Sequence, residues 1–156
     1  VQWILSLNRL SQFGGQVHCF GQTATSLSEV KTVYVEDFGE SEGADMIREK
    51  VVNRLFKTGR ISVVERPEAA DAILVGKGEV TKKVYYSANV DKEEGAASAG
   101  TQYDATLVVR LIGKDRRILW ADEAKPGFLP DSVSSSVADR VCKNLVKAIN
   151  KANKIK

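Results

Sequence analysis

Histidine is almost missing from this chain: His18 is the only one, and its scarcity removes most nucleophile triads and histidine-ligated metal sites. Cysteine is nearly as rare. Cys19 and Cys142 stand at opposite ends; a disulfide between them is open, but a chain of 156 residues does not need one. Proline occurs three times, as Pro67, Pro126 and Pro130, each between elements rather than inside one. No apolar run approaches the ~18 to 20 residues of a membrane-spanning helix, which excludes a helical span on length. Internal repeats are also absent. Gly76 and Gly78 lack the following helix and the Lys-Ser/Thr pair of a phosphate loop, so they read as close packing or a bulge within a strand.

What remains is globular in composition, 43% hydrophobic and 28% charged, which suits one domain with a sizeable core. The net charge of +3 is unevenly distributed. Arg140, Lys143, Lys147, Lys151, Lys154 and Lys156 crowd the C-terminal segment without an acid, so the rest of the chain is net acidic. Such a segment can attract anionic lipid headgroups, nucleic acid or an acidic partner. The simpler reading is a solvated helix face whose lysines favour the negative end of the helix dipole.

Residues 1–21 differ in character from the rest of the chain. Trp3, Ile4, Leu5, Leu7 and Leu10 form a short apolar stretch, and Gly14, Gly15, Cys19, Phe20 and Gly21 come after it. The layout resembles a signal peptide cut before Gln22, with Cys19 and Gly21 as the small residues of the cleavage site. Lipid attachment at Cys19 is a second option, and an N-terminal arm belonging to the fold is a third. Residues 22–156 then form a single α/β domain.

Lys31 to Phe38 alternates as a half-buried strand, and Ser41 stands where it can cap a helix carrying Ala44, Ile47, Val51, Val52 and Leu55 until Gly59 stops it. Ile61 to Glu65 is a second strand, expected to lie parallel to the first. Arg66 and Pro67 end it, and Ala70 to Val80 is a third strand that can continue through Val84, Tyr85 and Tyr86. Asp91 to Gln102 has the composition of a mobile loop. Tyr103 to Ile112 alternates again, Gly113 to Asp115 turns, and Arg116 to Glu123 completes a hairpin. Ser132 then precedes a helix with Val133, Val137, Val141, Leu145, Ile149 and Ala152 on one face.

The order β-α-β-β-β-β-α has too few helices for a doubly wound fold. It implies an α+β two-layer sandwich, with a mixed sheet of about five strands and both helices on one face.

No catalytic, cofactor-binding or metal site is assigned. Glu36, Asp37, Glu40 and Glu42 cluster where a strand runs into a helix, but solvated acids there serve the helix dipole. Tyr85, Tyr86 and Tyr103 beside Lys82, Lys83 and Arg110 could stack bases on a shared sheet face. Tyr85 and Tyr86 are successive, however, so only one of them can join. The acidic bulk of the domain and the lack of a nucleic-acid motif argue against such binding. The candidate partner contacts are Lys82, Lys83, Tyr86 and Trp120, the lysines guarding a strand edge that would otherwise pair without control.

The segments KTVYVEDF before an amphipathic helix, ISVVERPEAADAILVGKGEV, and YDATLVVRLIGKDRRILWADE before a last helix resemble α/β domains of bacterial envelope assembly proteins. These are the LptE-like lipopolysaccharide-assembly lipoproteins, the CsgG-type curli secretion component and the TolB N-terminal domain. The resemblance implies a non-enzymatic scaffold in the periplasm or at the outer membrane, or a secreted one. Its expected partners are other envelope proteins or lipids, with homo-oligomers formed by strand pairing. The alternative is a cytoplasmic nucleic-acid-binding module using the basic C-terminal helix.

Overall fold

The computed structural model describes residues 26–88, 97–125 and 133–154. The expectations for residues 1–21, Cys19 and the Ser132 cap therefore lie outside the described residues. Five strands and two helices come in the expected order: β1 Thr32–Val35, α1 Ala44–Thr58, β2 Ser62–Val64, β3 Ala72–Ala88, β4 Ala97–Gly113, β5 Ile118–Ala124 and α2 Val133–Lys154. The sheet order is β2-β1-β3-β4-β5. β1 lies parallel to β2 and β3, and the β3-β4 and β4-β5 pairs are antiparallel. The α+β two-layer sandwich with a mixed sheet is the architecture of the protein.

Both helices lie on the same face. Val33, Val35, Ala72, Leu74, Ala105, Leu107, Val109 and Leu111 alternate inward from the sheet, and Ile47, Val51 and Leu55 of α1 meet them with Val137, Val141, Leu145 and Ile149 of α2. The period of two on the strands and of about 3.6 on the helices brings these side chains into one core. Between the helices, Cys142 directs its thiol at the Val51 carbonyl (3.7 Å). Lys50 Nζ donates to Ser135 Oγ (2.7 Å), and Arg54 clasps Asp139.

Three sequence expectations change. The first strand ends at Val35, because Phe38 leaves the ladder to bury its ring completely in the core. Ser41 does not cap α1 with its side chain; Gly43 occupies the N-cap position at φ +77, and Ser41 contributes only its carbonyl, to the Ala44 N–H (3.0 Å). The reason is steric: a Cβ at Gly43 would lie 2.4 Å from Val80 Cγ2. The third change concerns the expected loop at 91–102. Ala97 to Gln102 are strand residues paired with β3, because the local polarity that reads as loop does not prevent a ladder whose partner strand is strongly β-forming.

The glycines of β3 are sites of close packing, as expected. At Gly76 a Cβ would meet the Val108 carbonyl oxygen at 2.7 Å and Val109 Cγ1 at 2.9 Å, and Phe38 packs over the same spot. Gly78 donates its N–H to the Phe38 carbonyl and Val80 donates to the Glu42 carbonyl, both at 3.0 Å. The Phe38–Gly43 segment thereby occupies the edge of β3 where β1 has ended. A latch closes the opposite end of the β1-β3 pair. Asp71 Oδ2 accepts the N–H groups of Lys31 and Thr32 (both 2.9 Å), while the Asp71 N–H donates to the Thr32 hydroxyl (2.8 Å).

Gly76→Ala is expected to destabilise the domain by about 1 to 3 kcal/mol, since the intruding atom meets the Val108 backbone carbonyl as well as the Val109 side chain, and the backbone cannot turn aside. Urea unfolding measures it, and an unchanged midpoint would refute the tight approach. Asp71 gives a pH-dependent prediction. Burial raises the pKa of its carboxyl, but the two backbone N–H donors, the Thr32 hydroxyl and the Lys114 charge together bring it below its ordinary value. A depressed folded pKa means that the stabilisation is present above the unfolded value of about 3.9 and is lost as pH falls through the lower folded value. Asp71→Ala should cost roughly 1 to 2 kcal/mol at neutral pH, the usual worth of such capping bonds. The gap between variant and parent should close as the solution is acidified below about pH 4.

Candidate binding site

β3 and β4 are far longer than the layer that covers them. Their ladder begins at Ala72↔Gly113 and runs without a bulge to Ala88↔Ala97. Helix-covered core residues end near Ala105 and Val80. The last eight rungs, from Thr81↔Asp104 outward, form a two-stranded arm that reaches roughly 25 Å at 3.4 Å per residue. Thr81, Val84, Tyr85, Tyr86, Thr101 and Tyr103 give it the β-branched and aromatic content that stabilises cross-strand pairs.

Register decides what each face of the arm shows. Lys82↔Tyr103, Val84↔Thr101 and Tyr86↔Ala99 share the side that carries the core further down. Neither described helix covers them here, and Tyr86 is 82% exposed, with Val84 and Tyr103 also open. Lys83, Tyr85, Gln102 and Asp104 take the other side. Lys83 Nζ pairs with Asp104 at 2.6 Å, and the carboxylate's hydrogen bond and charge raise the pKa of that ammonium.

Both edges of the arm are open among the described residues. On the β3 side the last backbone bond to a neighbouring segment is that from Val80 to Glu42. On the β4 side β5 reaches only to Leu107. Such edges present free N–H and C=O groups, the template for strand addition by another chain.

The sheet face turned away from the helices adds a second apolar area. Tyr34, Ile73, Val75 and Ile112 are half-buried there, and Val108 and Ile118 are exposed, with Lys77 and Arg110 among them. Of the residues that sequence reasoning placed on a partner surface, Lys82 and Tyr86 share one face of the arm and Lys83 lies on the opposite face. Trp120 lies elsewhere. It is half-buried on β5 and packs against the core, so only part of its ring is accessible. Tyr86 and Tyr103 share a face while Tyr85 points oppositely, as the alternation requires. Val84, Tyr103, Val108 and Ile118 were not singled out as partner contacts. For Val84 the signal was the continued alternation of β3 past Val80, and for Tyr103 that of β4, a pattern that marks strand but not exposure.

The acids of the β1-α1 turn do not form a centre. Glu36, Asp37, Glu40 and Glu42 are all exposed, and Asp37 accepts the Gly39 N–H (3.1 Å). Among the described residues there is no group of three or more His, Cys, Asp and Glu side chains placed to hold a metal ion. No described helix is long and apolar enough to cross a membrane.

No protein-family model and no curated protein matches the chain. Among solved structures it is similar to a neuraminyllactose-binding hemagglutinin homolog from Helicobacter pylori, with 11% identity over 81% of this chain and 88% of that one and a TM-score of 0.50. It is also similar to a PelC dodecamer from Paraburkholderia phytofirmans, with 20% identity over 74% of this chain and 85% of that one and a TM-score of 0.48. At these identities the likeness concerns the fold.

Cys142 is buried between the helices, and that burial pushes its thiol pKa up to about 12. The thiolate is the nucleophile, so the group is inert while the fold is intact. Cys142 is therefore expected to stay unmodified by an aromatic disulfide reagent at pH 8 until denaturant unfolds the protein. Rapid labelling of the native state would place it at an accessible surface instead.

Proposed function

We propose that this protein is a non-catalytic binding and assembly domain of the bacterial cell envelope, exported to the periplasm or the outer membrane, which engages protein partners through the β3-β4 arm. The observation that carries the proposal is the arm itself. Val84, Tyr86 and Tyr103 lie beyond the helical layer on a ribbon whose two edges are open among the described residues, and they stand outside the core cluster. Contiguous exposed apolar surface on an ordered element is the usual mark of an interaction site. An open ribbon also offers main-chain hydrogen bonds for affinity and alternate side chains for specificity. The signal-like layout of residues 1–21 supports export, and the resemblance to envelope assembly domains supports a scaffolding role.

Two measurements test this reading. Fractionation of the native source, with N-terminal sequencing, should recover the protein in the envelope with a mature end at or near Gln22 or with lipid on Cys19. Cytoplasmic protein that retains residues 1–21 would overturn export. A photo-crosslinking residue placed at Tyr86 should capture a defined envelope protein or a second copy in living cells. The double variant Val84→Ser, Tyr86→Ser should prevent partner binding while changing stability by no more than about 0.5 kcal/mol, as surface substitutions do. Unchanged partner binding in that variant would remove the arm from the interface.

A further inference from the structure

The outer surface of the helical layer carries a charge pattern that the arm does not explain. Along the crest of α2, Arg140, Lys143, Lys147, Lys151 and Lys154 recur every three or four residues, and all five are exposed. At a rise of 1.5 Å per residue the row extends roughly 20 Å. α1 runs beside it in the same direction, as the Lys50–Ser135 and Arg54–Asp139 contacts, one turn apart on both helices, require. That alignment brings Arg54 and Lys57 to the flank of the row, where they line a shallow depression with Lys143 and Val146. Arg60 comes next, also exposed.

On these two stretches, 54–60 and 139–154, eight cations face a single acid, Asp139, and Arg54 already holds it. Lys57, Lys143, Lys147, Lys151 and Lys154 form no ion pair among the described residues. Lys151 and Lys154 in the last turn favour the helix dipole and Arg140 donates to the Lys125 carbonyl (3.0 Å), but Lys143 and Lys147 gain neither, and like charges spaced one turn apart repel. Next to Lys57 in sequence, Phe56 is 74% exposed, an apolar ring without a polar tip standing in water.

We propose that this helical face docks on an anionic lipid bilayer, with its cations against the headgroup phosphates and Phe56 inserted between them. Two parallel helices spread the charge over an area rather than a line, which suits a plane of headgroups. Each lysine or arginine near such a surface adds to the attraction, and an inserted apolar side chain supplies the second signal that stable interfacial binding needs. Single-stranded nucleic acid would call for successive aromatic platforms, and this face has one ring. The proposal concerns a different surface from the arm and stands or falls separately.

The test uses the full chain in co-sedimentation with vesicles of phosphatidylcholine alone and of phosphatidylcholine mixed with phosphatidylglycerol. The protein should bind the mixed vesicles and not the neutral ones, and added salt should release it. Lys143→Glu together with Lys147→Glu should weaken binding roughly tenfold or more, with circular dichroism confirming that the fold persists. Phe56→Ser should weaken it at constant charge, and Tyr86→Ser should leave it unchanged. Equal binding to both vesicle types, no binding to the mixed ones, or indifference to the charge reversal would overturn the proposal. Salt-sensitive binding to DNA or RNA without vesicle binding would overturn it in favour of a nucleic-acid surface.

Discussion

The seating of Phe38–Gly43 on the edge of β3 is the constraint on which the rest of the molecule depends. Where β1 stops, the free edge of β3 is taken over by the carbonyls of Phe38 and Glu42, which accept the Gly78 and Val80 N–H groups. The Phe38 ring fits over β3 only because Gly76 has no side chain, and α1 can start immediately above Val80 only because Gly43 has none. This contact fixes the height of α1, and with it the level at which α1 and α2 cover the sheet. Everything on β3 and β4 beyond that level projects as the arm.

The same geometry divides the surface by chemistry. The arm and the open sheet face are apolar and aromatic, whereas the outer face of the helices is basic. Of the acids in the β1-α1 turn, Asp37 accepts the Gly39 N–H, and the Arg54–Asp139 contact ties α1 to α2. The two surfaces therefore suit partners of different kind, a protein chain that can add a strand and an anionic plane. A domain that bridged such partners would act as a tether, as the proposed assembly function requires.

Local pattern made much of this legible. The alternation in β1, β3 and β4, the apolar stripes of α1 and α2, and the stop at Gly59 all reflect periodicity and backbone preference, which act within a few residues. The sheet's mixed character was implied by the long connection between β1 and β2 and the tight turn at Gly113–Asp115. The site was less legible. Lys82, Lys83 and Tyr86 were placed on a partner surface because a strand edge beside a polar stretch invites control of pairing. The exposure of Val84 and Tyr103 was not legible, because alternation looks the same whether a helix covers the strand or not.

The sequence by itself determined the element order, the buried stripes, the glycines that must pack closely and the concentration of positive charge near the C-terminus, because each depends on residue type and short-range spacing. Only the tertiary structure decided three further points: Gly43, not Ser41, begins α1; residues 97–102 are strand; and Arg54 and Lys57 lie beside the α2 helix at Lys143. All three depend on contacts between segments far apart in the chain. Val80 against Gly43, β3 against the start of β4, and α1 against α2 are juxtapositions that no local pattern encodes.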